Sequence, residues 1–188
     1  TSPRGGPFPK PELIEMLQGK AGIVASMDPF DAEVFAACPD LQVVSRCGVG
    51  TDAIDFAAAT EAGVVICNTP GAMTDAVADL AMGMLIDIAR NITKLDNLMH
   101  SGGWGELPGV LVCNKTLGLI GFGQIGQALA RRALGFNMKI LAYDPFMEKA
   151  FSDHFKSTGK EIPVHFCSLE DLLGQSDFVS IHCPSTPE

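Results

Sequence analysis

What this chain can fold into is limited above all by a glycine turn, Gly121-Phe122-Gly123-Gln124-Ile125-Gly126, set between a strand and a helix. A bare G-x-G-x-x-G pattern is weak. Here an apolar run, Thr116 to Gly121 (TLGLIG), precedes it and an amphipathic run from Gly123 to Leu134 follows. The next strand, Met138 to Tyr143 (MKILAY), ends on Asp144-Pro145. That is the context the motif requires. Gly121 permits a tight turn, Gly123 lets the backbone approach a pyrophosphate, and Gly126 lets the helix pack close to the strand. The first helical turn then presents free N–H groups to the phosphates. Asp144, 18 residues after Gly126, is placed to accept hydrogen bonds from the ribose hydroxyls on the adenine side. It also repels a 2′-phosphate. The pattern predicts a Rossmann-type site for a nicotinamide dinucleotide, NAD over NADP. The competing readings are a glycine turn that binds nothing and an FAD site. FAD sites of this type usually open a chain, whereas this strand begins at Thr116.

Elsewhere helix and strand patterns alternate, which predicts an α/β fold with parallel sheets. Helices are expected at Pro11–Leu17, Asp31–Ala37 and Phe56–Ala62, with Gly63 as a cap. Strands are expected at Ala21–Ser26, Leu41–Arg46 and Val64–Cys67. A single long helix, Thr74 to Met99, is apolar on most faces and is expected to be buried between layers. Short strands at Val164–Cys167 and Asp177–His182 flank a helix that Ser168 and Asp171 start in the manner of a capping box.

Charge and cysteine content exclude several classes. The net charge is −9, from 22 acidic and 13 basic residues, and no Lys/Arg cluster offers a basic face for nucleic acid. Arg131 and Arg132 read as one solvated turn of a helix. No run of 18 apolar residues is present, so no membrane span or membrane partner is expected. Six cysteines, irregularly spaced and mostly within apolar runs, read as small hydrophobes and form neither a disulfide framework nor a zinc site. A reducing, cytoplasmic setting follows. No metal is expected.

Four segments carry a family resemblance. They are SRCGVGTDAID (Ser45 to Asp55), GVVICNTPGAMTDAVADLAMGMLIDIARNI (Gly63 to Ile92), KTLGLIGFGQIGQALARRALGFNMKILAYDP (Lys115 to Pro145) and LEDLLGQSDFVSIHCPSTPE (Leu169 to Glu188). In these, and in their order, the sequence resembles the D-isomer-specific 2-hydroxyacid dehydrogenases, within them the 3-phosphoglycerate dehydrogenase-like branch. The resemblance implies two flavodoxin/Rossmann-like lobes with parallel sheets: a partial substrate-binding lobe over residues 1–73 and a partial NAD-binding lobe over residues 74–188, the latter incomplete. It implies a homodimer to which the long helix contributes, with Trp104 packed in the arm between lobes.

The resemblance also assigns roles. Gln124 and Ile125 lie against the pyrophosphate, and Asp144 and Pro145 surround the adenosine. His182, Cys183 and Pro184 form the loop beside the adenine-side ribose. Thr69 lies near the nicotinamide. The N–H groups of Val49 and Gly50 hold the carboxylate of a small 2-hydroxy or 2-oxo acid, and Arg46 lines the substrate cleft. Arg46 also reads as a plain surface cation. His182 reads more readily as a backbone-contacting or core histidine than as a base, because a catalytic histidine needs an acid partner. The family's catalytic Arg, acid and His are expected beyond Glu188, so no catalytic residue is assigned within this chain. The expected activity is NAD-dependent hydride transfer at the CH–OH of a D-2-hydroxy acid, with 3-phosphoglycerate as one candidate substrate of the longer protein. The alternative is an NAD(H)-binding, corepressor-like module without turnover. A third Rossmann class, the adenosylhomocysteinase relatives, is opposed by the GVGTDAID and NTPG blocks.

Overall fold

The computed structural model describes residues 6–146 and 163–183. They form two compact units that divide between Met73 and Thr74.

The first unit runs α1 (Lys10–Leu17), β1 (Gly22–Ala25), α2 (Ala32–Ala37), β2 (Val43–Arg46), α3 (Phe56–Glu61) and β3 (Val65–Cys67). Its strands form a parallel sheet in the order β1-β2-β3, with Ile23, Val44 and Ile66 in register. Local chemistry starts and stops the helices. Asp31 caps α2 by accepting from the Val34 N–H at 3.1 Å, and Asp55 caps α3 through Ala58 at 3.0 Å. Gly63, at φ +69°, lets the chain leave α3 while Val64 donates back to the Ala59 carbonyl. Leu13, Leu17, Phe30, Val34, Val44 and Ala59 are buried together. Asp28, the one buried charged side chain among the described residues, accepts from the Phe8 and Ser26 N–H groups.

The second unit runs α4 (Thr74–Arg90), α5 (Ile92–His100), β4 (Thr116–Ile120), α6 (Gln124–Leu134), β5 (Lys139–Tyr143), β6 (Val164–Phe166), α7 (Leu169–Gln175) and β7 (Phe178–Ile181). The parallel sheet is ordered β6-β5-β4-β7. The continuous apolar run of β4 follows from its central place, since both faces are covered. Leu117 and Leu119 pack with Ala78, Met82 and Leu85 of α4 and Ala128 and Leu129 of α6. Gly118, between them, faces the other way. There α7 presses close: a Cβ on Gly118 would stand 2.5 Å from the Leu172 side chain. Ser168 caps α7 by accepting from the Asp171 N–H at 3.1 Å.

Five expectations are corrected. The predicted helix from Thr74 to Met99 is two helices. Asn91 takes the left-handed conformation (φ 54°) and donates to the Pro108 carbonyl, while the Asp87 carboxylate accepts from both the N–H and hydroxyl of Thr93. Asn tolerates that backbone better than most residues, and this periodicity does not register. Nor is α4 buried all round: Ala78, Met82, Leu85 and Ala89 face the core, whereas Leu80, Met84 and Ile88 are exposed. Arg132 is not a solvated cation. Its guanidinium donates to Asp79 at 2.6 Å and Asp75 at 3.1 Å, one turn apart on α4. The cysteines and Trp104 also differ from expectation. Only Cys38 is buried, and Trp104 is 86% exposed. Among the described residues no helix is long and apolar enough to cross a membrane.

Gly118→Ala should destabilise the fold by about 1–3 kcal/mol by overpacking against Leu172, read from urea denaturation. Asp177 accepts from the Thr116 N–H at 2.9 Å and from Lys115 at 3.1 Å, which together hold its carboxyl below the usual range. A lowered folded pKa stabilises above the unfolded value, about 3.9, and that stability is lost as pH falls through the folded value. The melting temperature should therefore exceed that of Asp177→Asn at pH 6, and the gap should close as pH drops below about 4.

Candidate cofactor and substrate site

The glycine turn is built by the carboxyl ends of three neighbouring strands. After β4, Gly121 adopts φ +89° and its N–H donates to the Tyr143 carbonyl at the end of β5. A Cβ there would lie 2.7 Å from the Cys183 nitrogen and the His182 carbonyl carbon, just past β7. Glycine is thus required twice, by backbone conformation and by close approach. Phe122 turns its ring inward, fully buried and edge-on to Phe166 at 5.5 Å between centroids. Its N–H donates to Asp144 Oδ2 at 2.8 Å, and Asp144 Oδ1 accepts from the Phe146 N–H at 2.9 Å. The acid at the end of β5 therefore grips both the glycine turn and its own loop.

Gly123 is the N-cap of α6, with no side-chain cap. Among the described residues no atom lies within 4 Å of where its Cβ would stand. This open space adjoins the unpaired N–H groups of the first helical turn, an arrangement suited to an anion. Gly126 meets the opposite constraint: a Cβ would sit 2.5 Å from the Gly121 carbonyl oxygen. Gln127 ties the helix to the turn by donating to the Phe122 carbonyl at 3.0 Å. The Gln124 side chain is exposed and accepts from the Thr74 hydroxyl at 3.3 Å. Ile125 is half-buried and Pro145 exposed.

Beyond β7, the His182 N–H donates to the Ile120 carbonyl at 2.7 Å. Its Nε2 lies 2.9 Å from the Ser180 hydroxyl, and burial lowers its pKa, favouring neutral imidazole. The residue thus meets a backbone carbonyl and a hydroxyl. Cys183 is exposed beside Gly121. Pro184 lies outside the described residues.

In the first unit, the loop after β2 has a different design. Arg46 donates through Nη1 to the Cys47 carbonyl at 2.6 Å and through Nε to the Gly50 carbonyl at 3.1 Å. Thr69 donates its N–H to the Gly48 carbonyl at 3.1 Å, and Asn68 its side-chain amide to the Val49 carbonyl at 3.0 Å. Four consecutive carbonyls are satisfied. The N–H groups of Val49 and Gly50 donate to nothing among the described residues. Successive undonated N–H groups on a constrained loop favour an anion. The Asp52 carboxylate borders the loop beside Gly50.

The glycine turn and the acid ending β5 are legible in the sequence, whereas the contacts of Phe122 with Asp144, of Asn68 with Val49 and of Ser180 with His182 are not. An aromatic residue between two glycines was a usable signal for a turn anchored in the core. Nothing local marks Asn68 as a tether.

A family model described as "D-isomer specific 2-hydroxyacid dehydrogenase, NAD binding domain" matches residues 82–188. A glyoxylate reductase of Korarchaeum cryptofilum is 40% identical over 97% of this chain and 55% of its own length. A hydroxypyruvate reductase of Thermotoga maritima is 40% identical over 94% of this chain and 56% of its own. A D-3-phosphoglycerate dehydrogenase of Mycobacterium tuberculosis is 35% identical over 97% and 34%, respectively. The solved TT0316 protein from Thermus thermophilus superposes with a TM-score of 0.83 at 36% identity, covering 96% of this chain and 56% of that one. The chain spans about half the length of the first of these relatives. The Gly121–Gly126 turn with Asp144 lies inside the matched NAD-binding segment, and the chain belongs to the D-isomer-specific 2-hydroxyacid dehydrogenase family.

Proposed function

We propose that this chain orients NAD and the substrate carboxylate in a dehydrogenase that moves a hydride between C2 of a small D-2-hydroxy acid and the nicotinamide ring. The observation that carries this reading is the glycine turn, open at Gly123 and clamped by Asp144. The pyrophosphate rests on the N–H groups at the start of α6, beside Gly121, Gly123, Gln124, Ile125 and Gly126. Asp144, with Pro145 at its side, accepts from the adenine-side ribose. A carboxylate oxygen holds more than one acceptor site, so an oxygen that accepts from a backbone N–H can also accept from a ribose hydroxyl. His182 and Cys183 border that ribose, and Thr69 the nicotinamide. The bound cofactor supplies the hydride acceptor or donor, and the protein supplies orientation. The Val49 and Gly50 N–H groups hold the acid's carboxylate.

Two observations favour glyoxylate or hydroxypyruvate over a phosphorylated acid. The more identical relatives carry those names, and the Arg46 guanidinium is engaged with its own loop. We place the protein in the cytoplasm on its six free thiols. We assign a homodimer to the outer face of α4, where Leu80, Met84 and Ile88 form an exposed stripe one turn apart.

The test is NADH oxidation by the full-length protein with glyoxylate and hydroxypyruvate. Turnover supports the dehydrogenase. NAD binding without turnover on any 2-oxo acid selects a corepressor-like module instead. Asp144→Ala should weaken NAD binding roughly ten- to a hundredfold, as expected for hydrogen bonds to a charged group, and raise the ratio of NADP to NAD affinity. Unchanged titration curves for both cofactors would remove Asp144 from this role.

A further inference from the structure

Every carbonyl from Cys47 to Gly50 accepts a hydrogen bond, while the Val49 and Gly50 N–H groups remain undonated among the described residues. Backbone donors of a loose loop find partners in the chain or in water. Arg46 limits that freedom. Its guanidinium spans the loop, gripping the carbonyls at both ends, Cys47 at 2.6 Å and Gly50 at 3.1 Å. Gly48 is the seat of this strap. It adopts φ +148°, and a Cβ there would stand 2.8 Å from Arg46 Nη1. Thr69 and Asn68 hold the loop from the side of β3.

We propose that Arg46 is a positioning residue: it acts on the acid substrate through the Val49 and Gly50 N–H groups it holds in place, not by gripping a second anionic group. The effect on substrate rests on the proposed dehydrogenase reading; the strap itself does not. A guanidinium fork reaches two carbonyls at once, whereas an ammonium is a compact point charge, so lysine replaces arginine poorly here.

Glyoxylate decides the matter in the full-length protein, because it has one carboxylate and no second anion. Arg46→Ala should raise its KM on the order of tenfold, the scale of two lost backbone hydrogen bonds, with the Kd for NADH unchanged. Arg46→Lys should recover only part of that loss, and Gly48→Ala, which displaces the guanidinium, should raise KM similarly. An Arg46→Ala protein with unchanged KM for glyoxylate overturns the proposal. So does a KM increase confined to 3-phosphohydroxypyruvate, since a direct grip on a second anion predicts it. A second readout does not depend on turnover. The amide NMR resonances of Val49 and Gly50 should shift in Arg46→Ala while those of Leu117 and Leu119 stay in place. Unmoved Val49 and Gly50 resonances overturn the strap. A wild type that reduces neither acid overturns the dehydrogenase reading instead, and the amide shifts then decide the strap alone.

Discussion

The hydrogen bond from the Phe122 N–H to the Asp144 carboxylate is the contact around which the nucleotide half is arranged. It exists because β4 and β5 are parallel neighbours, so their carboxyl ends finish side by side. The first strand contributes a turn with backbone donors, the second a carboxylate. Phe122 is held from both sides, its ring in the core against Phe166 and its N–H on the acid. A turn fixed in this way is ordered before a ligand arrives, which lowers the entropic cost of binding. The same carboxylate is thus both a structural acceptor and the group proposed to read the ribose.

In both units the backbone presents N–H groups that have no acceptor among the described residues. The glycine turn offers the N–H groups at the start of α6, and the Cys47–Gly50 loop offers those of Val49 and Gly50. Both follow the carboxyl ends of parallel strands, where α/β folds place their ligands. Side chains serve mainly to hold these loops: Asp144 and Phe122 in one, Arg46, Asn68 and the Thr69 backbone in the other. Glycine appears where the backbone needs it. Gly121 and Gly48 have positive φ and face atoms that a Cβ would strike, while Gly123 leaves open space.

Helix α4 shows where pattern reading loses information. Its apolar residues occupy more than one face, which the sequence presents as burial all round. In the fold, Met82 and Leu85 meet the core and Leu80, Met84 and Ile88 meet solvent. Asn91 ends it because a side-chain amide finds the Pro108 carbonyl and Asp87 caps the next turn. Those partners become visible only once the chain is folded back. Arg132 is the same case: its acids lie more than 50 positions earlier, on α4.

The α/β class, the parallel sheets, the glycine turn and the acid that ends the following strand were all legible in the amino-acid order. Each is encoded locally, in periodicity, in glycines at fixed spacing and in caps such as Asp31 and Ser168. What those residues touch was not legible there. The bond from Phe122 to Asp144, the turn of Arg46 onto its own loop, the tethers from Asn68 and Thr69, and the exposed stripe on α4 emerge with the folded chain. They depend on which strands become neighbours and which helix face meets the sheet. That choice is made by packing between distant segments, and no local pattern carries it.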